Sequence, residues 1–126
     1  MQNCMTDCVS IFRHGDRLQQ AVEQLQNLIV RSQNIHVSSQ ARGTNPELVA
    51  AYRVQRMLKL ASCVAYGALQ RTESRGAHSR VDYPERDDEK WLKHTLFFLE
   101  EQKIDYKPVH LTPLTVEPFP PKARTY

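Results

Sequence analysis

One long apolar repeat, beginning at Pro46, constrains the fold of this chain more than any other feature. In NPELVAAYRVQRMLKLASCVAYGAL the apolar and small residues recur with a period near 3.6 over roughly 20 residues, which is the period of an α-helix. Thr44 or Asn45 can cap the start of this helix, and Pro46 suits its first position. We therefore predict a helix over 46–74.

Apolar side chains extend around most of the circumference of this helix. One stripe contains Leu48, Leu58 and Ala65, while other sides carry further large apolar residues, namely Val49, Val54, Met57, Leu60 and Val64. A helix that is apolar on several sides is normally packed on several sides. We therefore expect partners on more than one face of it.

Two further helices are predicted before this one, over about 1–12 and 16–33. The first has apolar residues at Met1, Met5 and Phe12, and the second has a stripe that runs along one face, namely Leu18, Val22, Leu25 and Ile29. The apolar pattern already starts at Met1, without a preceding cap. We expect from this start that the chain is cut from a longer protein.

The region after the long helix allows two interpretations. Asp87 or Asp88 could cap a helix that contains Trp91 and Leu96, or KHTLFF and KIDYKPVHL could pair as antiparallel strands. The last stretch, 111–126, holds four of the seven Pro, which excludes a regular helix or a central strand. We predict an extended Pro-rich tail there.

The composition excludes the common cofactor-binding motifs. With only four Gly, spaced far apart, the chain can form neither a dinucleotide fingerprint nor a Walker phosphate loop. The His residues are scattered, and Cys4, Cys8 and Cys63 form no CxxC pair, so no metal site is predicted. Lys and Arg are interleaved with Asp and Glu, which disfavours a nucleic-acid surface. No apolar run approaches the roughly 20 residues that span a bilayer.

A run of alternating charges, RTESRGAHSRVDYPERDD, follows the long helix. Such a run is ordinarily a solvated loop. In this run, however, acids and bases balance, the bases are Arg, and small residues around Gly76 allow close backbone approach. We predict a polar network in a charged crossing over 75–90. This network either contacts another domain or supports the crossing from helix to hairpin within this domain.

The same residues carry a family resemblance. The stretch RTESRGAHSRVDYPERDDEKWLKHTL is similar to the signature of the C-terminal helical domain in the flavoprotein subunit of fumarate reductase and succinate dehydrogenase. That family also includes L-aspartate oxidase. The resemblance extends upstream through MQNCMTDCVSIFRHGDRLQQAVEQLQNL and downstream through PFPPKARTY, so it covers essentially the whole chain.

The resemblance implies a mainly α fold. We expect a spectrin-repeat-like three-helix bundle, then a small β-hairpin over about 92–110, then the extended tail. Residues 1–126 would form a single C-terminal domain of a larger flavoprotein.

The resemblance also implies a function for the intact subunit. Such a subunit carries FAD, interconverts fumarate and succinate, and passes electrons to or from an iron-sulfur subunit and quinone, in anaerobic respiration or the tricarboxylic acid cycle. It is cytoplasmic and peripheral on the cytoplasmic face of the inner membrane, without inserting into it. The catalytic and flavin-binding residues of the family lie upstream. No catalytic, cofactor-binding or metal-binding residue is therefore assigned in this chain, and the isolated chain is expected to be inactive.

Five residues are candidates for contact with the upstream FAD-binding domain: Arg75, His78, Arg80, Asp82 and Arg86. An alternative function is an autonomous helical adaptor that docks on a partner through the Pro-rich tail.

Overall fold

The computed structural model describes residues 1–119 and 122, and the described chain is mainly helical with small sheets. Its elements in chain order are α1 (Gln2–Cys8), β1 (Phe12–Arg13), α2 (Gly15–Ser32), α3 (Pro46–Gln70), β2 (Ser79–Arg80), α4 (Asp88–Trp91), β3 (Lys93–Phe98) and β4 (Lys103–Pro108). Helix α2 packs against both α1 and α3, and β3 contacts α3.

The hydrophobic core lies between α2 and α3. Leu18 and Leu25 of α2 are fully buried against Leu58 and Ala65 of α3. Small residues at the contact allow the two helices to approach closely. Cys4 of α1 closes the cluster, with its thiol 3.9 Å from a backbone carbonyl of α2. Each fully buried Leu stabilises the fold by about 1.5–3 kcal/mol.

Two helices end earlier than the sequence periodicity predicts. Helix α1 ends at Cys8 rather than near residue 12, because the following residues form β1. Helix α3 ends at Gln70 rather than near residue 74, and Arg71 is already extended. In both places the chain turns to meet the charged crossing, so tertiary contacts override the local helical pattern.

A short parallel ladder joins the two ends of the helical region. Phe12 pairs with Ser79 and Arg13 with Arg80. The ladder brings the charged crossing against the start of α2, where a Cβ on Gly15 would lie 2.9 Å from a carboxylate oxygen of Asp82. A larger residue at Gly15 would have to displace the Asp82 carboxylate, so glycine allows the charged crossing to approach this closely.

The region after the charged crossing combines parts of both interpretations. The side chain of Asp87 accepts a 3.0 Å hydrogen bond from the backbone N–H of Lys90 and caps the single turn of α4. Strands β3 and β4 then form an antiparallel hairpin, which confirms the predicted strand pairing. The hairpin packs through Phe97, whose ring centroid lies 6.0 Å from that of Tyr66 on α3.

Residues 111–119 form neither helix nor strand, and Leu114 and Phe119 are almost completely exposed. The rest of the predicted tail, apart from Lys122, lies outside the described residues. None of the helices in the described part of the chain is long and apolar enough to cross a membrane.

Helix α3 differs from the sequence expectation in one respect. Within the described chain α3 packs against α2 and, near its C-terminus, against the hairpin. Large apolar residues on its remaining surface stay exposed by 40% or more: Val49, Val54, Met57, Leu60 and Val64. The sequence predicted packing partners on several sides of α3, and residues 1–119 and 122 do not supply all of them.

Candidate functional site

The charged crossing is a tight loop whose neck is held by Ser74. The backbone N–H of Ser74 donates to the carbonyl of Glu85 at 3.0 Å. Its hydroxyl accepts from the backbone N–H of Arg80 at 2.8 Å and donates to the carbonyl of Tyr83 at 2.8 Å. One serine thus fixes three points of the loop backbone.

A second turn at Gly76 presents Arg75 and His78. These two residues exchange backbone hydrogen bonds of 2.8 and 3.0 Å across Gly76 and Ala77. Gly76 has a φ of +58°, a left-handed conformation that glycine adopts at little cost. The Gly76 turn therefore sets the directions of the Arg75 and His78 side chains.

The first of two buried clusters is centred on Glu73, which has no solvent exposure. Its carboxylate accepts from Arg75 Nε at 2.8 Å, from Arg75 Nη2 at 3.0 Å, from the backbone N–H of Asp87 at 3.0 Å and from Arg71. Burial raises the pKa of Glu73, but these hydrogen bonds from Arg75, Asp87 and Arg71 together lower it by more. The pKa of Glu73 is therefore below its usual value, and Glu73 is ionised. We call these residues the Glu73 cluster.

Arg71 connects the Glu73 cluster to the hairpin. Its guanidinium donates to the carbonyl of Trp91 at 3.0 Å and to Thr95 Oγ1 at 3.2 Å. It also lies 5.1 Å from the centre of the Trp91 ring, within cation–π range. The end of α3 and the start of β3 are thereby tied to one carboxylate.

The outer edge of the Glu73 cluster is an exposed chain of ion pairs. Arg75 Nη2 lies 2.6 Å from one oxygen of Asp88, and Arg86 Nη2 lies 2.7 Å from the other. Arg86 Nη1 also donates to the carbonyl of Lys122 at 3.1 Å. The hydrogen bond to Glu73 is the largest cause that raises the pKa of Arg75, so Arg75 stays charged.

The second cluster is centred on Arg80, which is 3% exposed. Its Nη1 donates to three carbonyls at the end of α3, those of Ala68, Leu69 and Arg71, at 2.9–3.1 Å. Its Nε and Nη2 form a two-point pair with Asp82 at 2.8 and 2.7 Å. We call these residues the Arg80 cluster.

Asp82 links the Arg80 cluster to α2. Its carboxylate accepts from the backbone N–H of Gly15 at 3.2 Å, where the helix dipole favours negative charge. The hydrogen bonds from Arg80 are the largest cause that lowers the pKa of Asp82, to about 2. The Arg80 cluster thus joins the C-terminus of α3 to the N-terminus of α2.

His78 forms no ion pair in either cluster and is held between Arg13 and the carbonyl of Arg71. Arg13 Nη1 lies 2.6 Å from His78 Nδ1, and His78 Nε2 lies 3.1 Å from the carbonyl of Arg71. Because an arginine can only donate and a carbonyl can only accept, Nδ1 accepts and Nε2 carries the proton. His78 is therefore held in its neutral form.

This arrangement predicts a loss of stability in mild acid. Burial is the largest cause that lowers the pKa of His78 below 6.5, and the charges of Arg13, Arg80 and Arg71 around it lower it further, against a rise from the hydrogen bond to the Arg71 carbonyl. Below pH 6.5 the unfolded chain therefore takes up a proton that folded His78 does not. Urea unfolding at several pH values should show that the free energy of unfolding decreases as the pH is lowered below 6.5.

The control for this prediction is His78→Gln. Its unfolding free energy should change less than that of the parent chain between pH 6.5 and the onset of carboxylate titration. A second loss, from Asp82, should appear in both chains between pH 3.8 and about 2. Equal slopes below pH 6.5 in the parent and the variant would contradict the role of His78.

The five predicted contact residues are thus divided among three groups. Arg80 and Asp82 pair with each other, Arg75 and Arg86 meet through Asp88, and His78 is separate. Two important residues were not among the candidates: Arg13 and Glu73. Glu73 could have been found as the acid between Arg71 and Arg75, whereas no local pattern marks Arg13.

In the described residues, the polar groups of the charged crossing are satisfied by one another. Among residues 1–119 and 122, no buried side-chain nitrogen or oxygen lacks a hydrogen-bond partner. Nor does the described chain bring together three His, Cys, Asp or Glu side chains that could share a metal ion. Arginines and carboxylates form the ion pairs of both clusters, and each cluster links elements that are distant in sequence.

Known proteins share both the sequence and this fold. A family model described as the fumarate reductase flavoprotein C-terminus matches residues 1–126. This chain belongs to that family. The fumarate reductase flavoprotein subunit of Helicobacter pylori is 56% identical over 96 residues, which cover 76% of this chain and 13% of that protein. The succinate dehydrogenase flavoprotein subunit of Coxiella burnetii is 40% identical over 124 residues, which cover 98% and 21%.

Solved structures of the family show the same fold. A mutant of Escherichia coli quinol fumarate reductase matches with a TM-score of 0.83 and 30% identity, over 93% of this chain and 20% of that chain. The Mycobacterium smegmatis Sdh1 structure in complex with UQ1 matches with a TM-score of 0.68 and 42% identity, over 73% and 15%. The chain thus spans about a fifth or less of the length of these flavoprotein relatives.

Proposed function

We propose that this chain is the C-terminal packing and assembly domain of a flavoprotein subunit that interconverts fumarate and succinate. The subunit uses FAD and exchanges electrons with an iron-sulfur subunit and, through it, with quinone. The observation that carries the proposal is the family match over residues 1–126 together with a charged crossing whose arginines and carboxylates pair internally. The chain itself supplies structure rather than catalytic groups.

The described residues, 1–119 and 122, offer no site that fits FAD. A flavin dinucleotide needs a Gly-rich loop or a free helix N-terminus for its phosphates. The first turn of α3 already holds Glu47, and the N–H of Gly15 at the start of α2 is bound to Asp82. FAD therefore belongs to another part of the proposed subunit, and no step of its chemistry is assigned to this chain.

The interdomain contact is also part of the proposal. Arg75, Asp82 and Arg86 keep about a third of their side chains exposed beyond their internal pairs, so each has surface left for a second domain. Arg80 and His78 are held inside the chain and would act by fixing the loop that carries the other three. Desolvated pairs at such a seam contribute about 1–3 kcal/mol each.

The proposed fold follows the family in finer detail as well. We further propose that helices α1, α2 and α3 form a spectrin-repeat-like three-helix bundle and that residues 111–119 lie extended over the parent subunit. The proposed location is the cytoplasmic face of the inner membrane, where the subunit is bound through its complex and does not insert into the bilayer.

The purified chain tests whether flavin binding and catalysis belong to other parts of the subunit. We expect it to retain no flavin absorbance after incubation with FAD and gel filtration, and to show no fumarate reduction or succinate oxidation. The reason is that no described residue provides a phosphate-binding loop. A yellow protein, or turnover of either dicarboxylate, would contradict the proposal.

One observation favours a second candidate function, an autonomous helical adaptor. Leu114 is 101% and Phe119 95% exposed, so the tail carries apolar side chains that are free to dock on a partner. If this function is correct, the native protein carries no flavin and binds its partner through 111–119.

A further inference from the structure

The outward side of α3 is an apolar surface that no described residue covers. Val49 is 53% exposed, Tyr52 58% and Leu60 66%. Together with the other residues of this side they line an open cleft of about 570 Å³. We call this surface the α3 face, and it consists of Val49, Tyr52, Arg53, Arg56, Met57 and Leu60.

The α3 face continues as far as α1. Met57 and Leu60 also border a second cleft of about 380 Å³, and Met1 and Met5 of α1 line its other wall. The two clefts follow the helix from 49 to 64, a length of about 22 Å at 1.5 Å per residue. Single exposed apolar residues are ordinary, but a contiguous surface of this length marks an interaction site.

The charges along this surface have one sign. Arg53 and Arg56 are exposed, and neither forms an ion pair with any of residues 1–119 or 122. From Leu48 to Gln70 the helix carries Arg53, Arg56 and Lys59 but no Asp or Glu. A partner that is complementary to the α3 face would therefore present an apolar patch bordered by carboxylates.

We propose that the α3 face is the surface on which the flavin-binding part of the parent subunit docks, with carboxylates of that part opposite Arg53 and Arg56. This inference rests on the proposed function and adds a second contact to the one at the charged crossing. In the Coxiella burnetii relative the matched segment is 21% of the subunit, so most of such a polypeptide lies outside this domain.

A second copy of this chain fits the same surface less well. In a two-fold dimer each α3 face meets its own copy, so Arg53 and Arg56 of one chain would approach those of the other. Like charges brought together at an interface cost free energy unless carboxylates separate them, and the α3 face has none. The charge pattern therefore favours a different, acidic occupant.

Hydroxyl-radical footprinting of the full-length flavoprotein subunit and of the 126-residue chain tests this inference. Val49 in the α3 face and Val30 on α2 form a matched pair, because they are the same residue type and are 53% and 54% exposed. We expect oxidation of Val49, Tyr52 and Met57 to be largely lost in the subunit, because a docked domain excludes water from the centre of the interface. Oxidation of Val30 should be the same in the subunit and in the chain.

The outcomes separate the two proposals. A flavin-containing subunit in which Val49 reacts as fast as in the isolated chain overturns the docking surface and leaves the proposed function standing. A native protein without flavin overturns the proposed function itself. Protection of Val49 in the isolated chain that grows with protein concentration assigns the surface to a second copy and also overturns the inference.

Charge reversal tests whether carboxylates of the docking partner lie opposite Arg53 and Arg56. In the full-length subunit we expect Arg53→Glu with Arg56→Glu to abolish most of the protection of Val49, whereas Lys59→Glu on the same helix, outside both clefts, should keep it. Circular dichroism of the same variants in the isolated chain checks that α3 still forms. Full protection in the double variant would contradict an acidic partner.

Discussion

Glu73→Gln should lower the free energy of unfolding of the purified chain by about 3–5 kcal/mol, the usual effect of removing one partner from a buried charged group. Glu73 is completely buried and accepts hydrogen bonds from two arginines and one backbone N–H. Glutamine keeps the size of the side chain but leaves Arg71 and Arg75 without this counter-charge. Since small domains are stable by about 5–15 kcal/mol, urea unfolding will resolve this loss easily.

The matched control is Asp88→Asn, which also removes one charge next to Arg75. Asp88 is exposed, and water can replace its hydrogen bonds, so we expect its midpoint of urea unfolding to equal that of the parent chain within error. Equal effects of Glu73→Gln and Asp88→Asn would show that burial of the Glu73 carboxylate does not strengthen its cluster.

Arg80→Met should destabilise the chain by about 3 kcal/mol, because methionine fills part of the same volume but makes none of the hydrogen bonds. Arg80 satisfies three carbonyls at the end of α3 and pairs with Asp82, which in turn binds the first N–H of α2. The loss should appear in the isolated chain, since all these partners are internal. Urea unfolding and hydrogen exchange at the last turn of α3 both measure it.

The comparison is Arg86→Met, in which an exposed arginine loses its pair with Asp88. We expect a change of about 0–1 kcal/mol in the isolated chain. If Arg80→Met is as mild as Arg86→Met, the Arg80 cluster is not a brace between α2 and α3, and the helix end must be held by other contacts.

The elements that periodicity can define were predicted from the sequence. The start of α3 follows from Asn45 and Pro46, and the buried stripe of α2 follows from the spacing of Leu18 and Leu25. The family resemblance favoured the hairpin over a longer helix, which local pattern alone left open. These features depend on neighbours within a few residues, and such neighbours are visible in a sequence.

The features that were missed depend on contacts between distant segments. Helix α3 was predicted too long because nothing near Gln70 indicates that Arg80 takes its last carbonyls. Arg13 was not a candidate because its partner, His78, lies 65 residues away. The charged crossing was recognised as a network, but which acid is buried at its centre is decided by packing and not by the order of charges.

The measurement that tests the central claim most directly is the intact mass and flavin content of the native protein isolated from its own cells. If the chain is a packing domain of a larger flavoprotein, the polypeptide that contains it has several times its mass of 14.6 kDa and carries flavin. A flavin-free native protein of 14.6 kDa would contradict the claim.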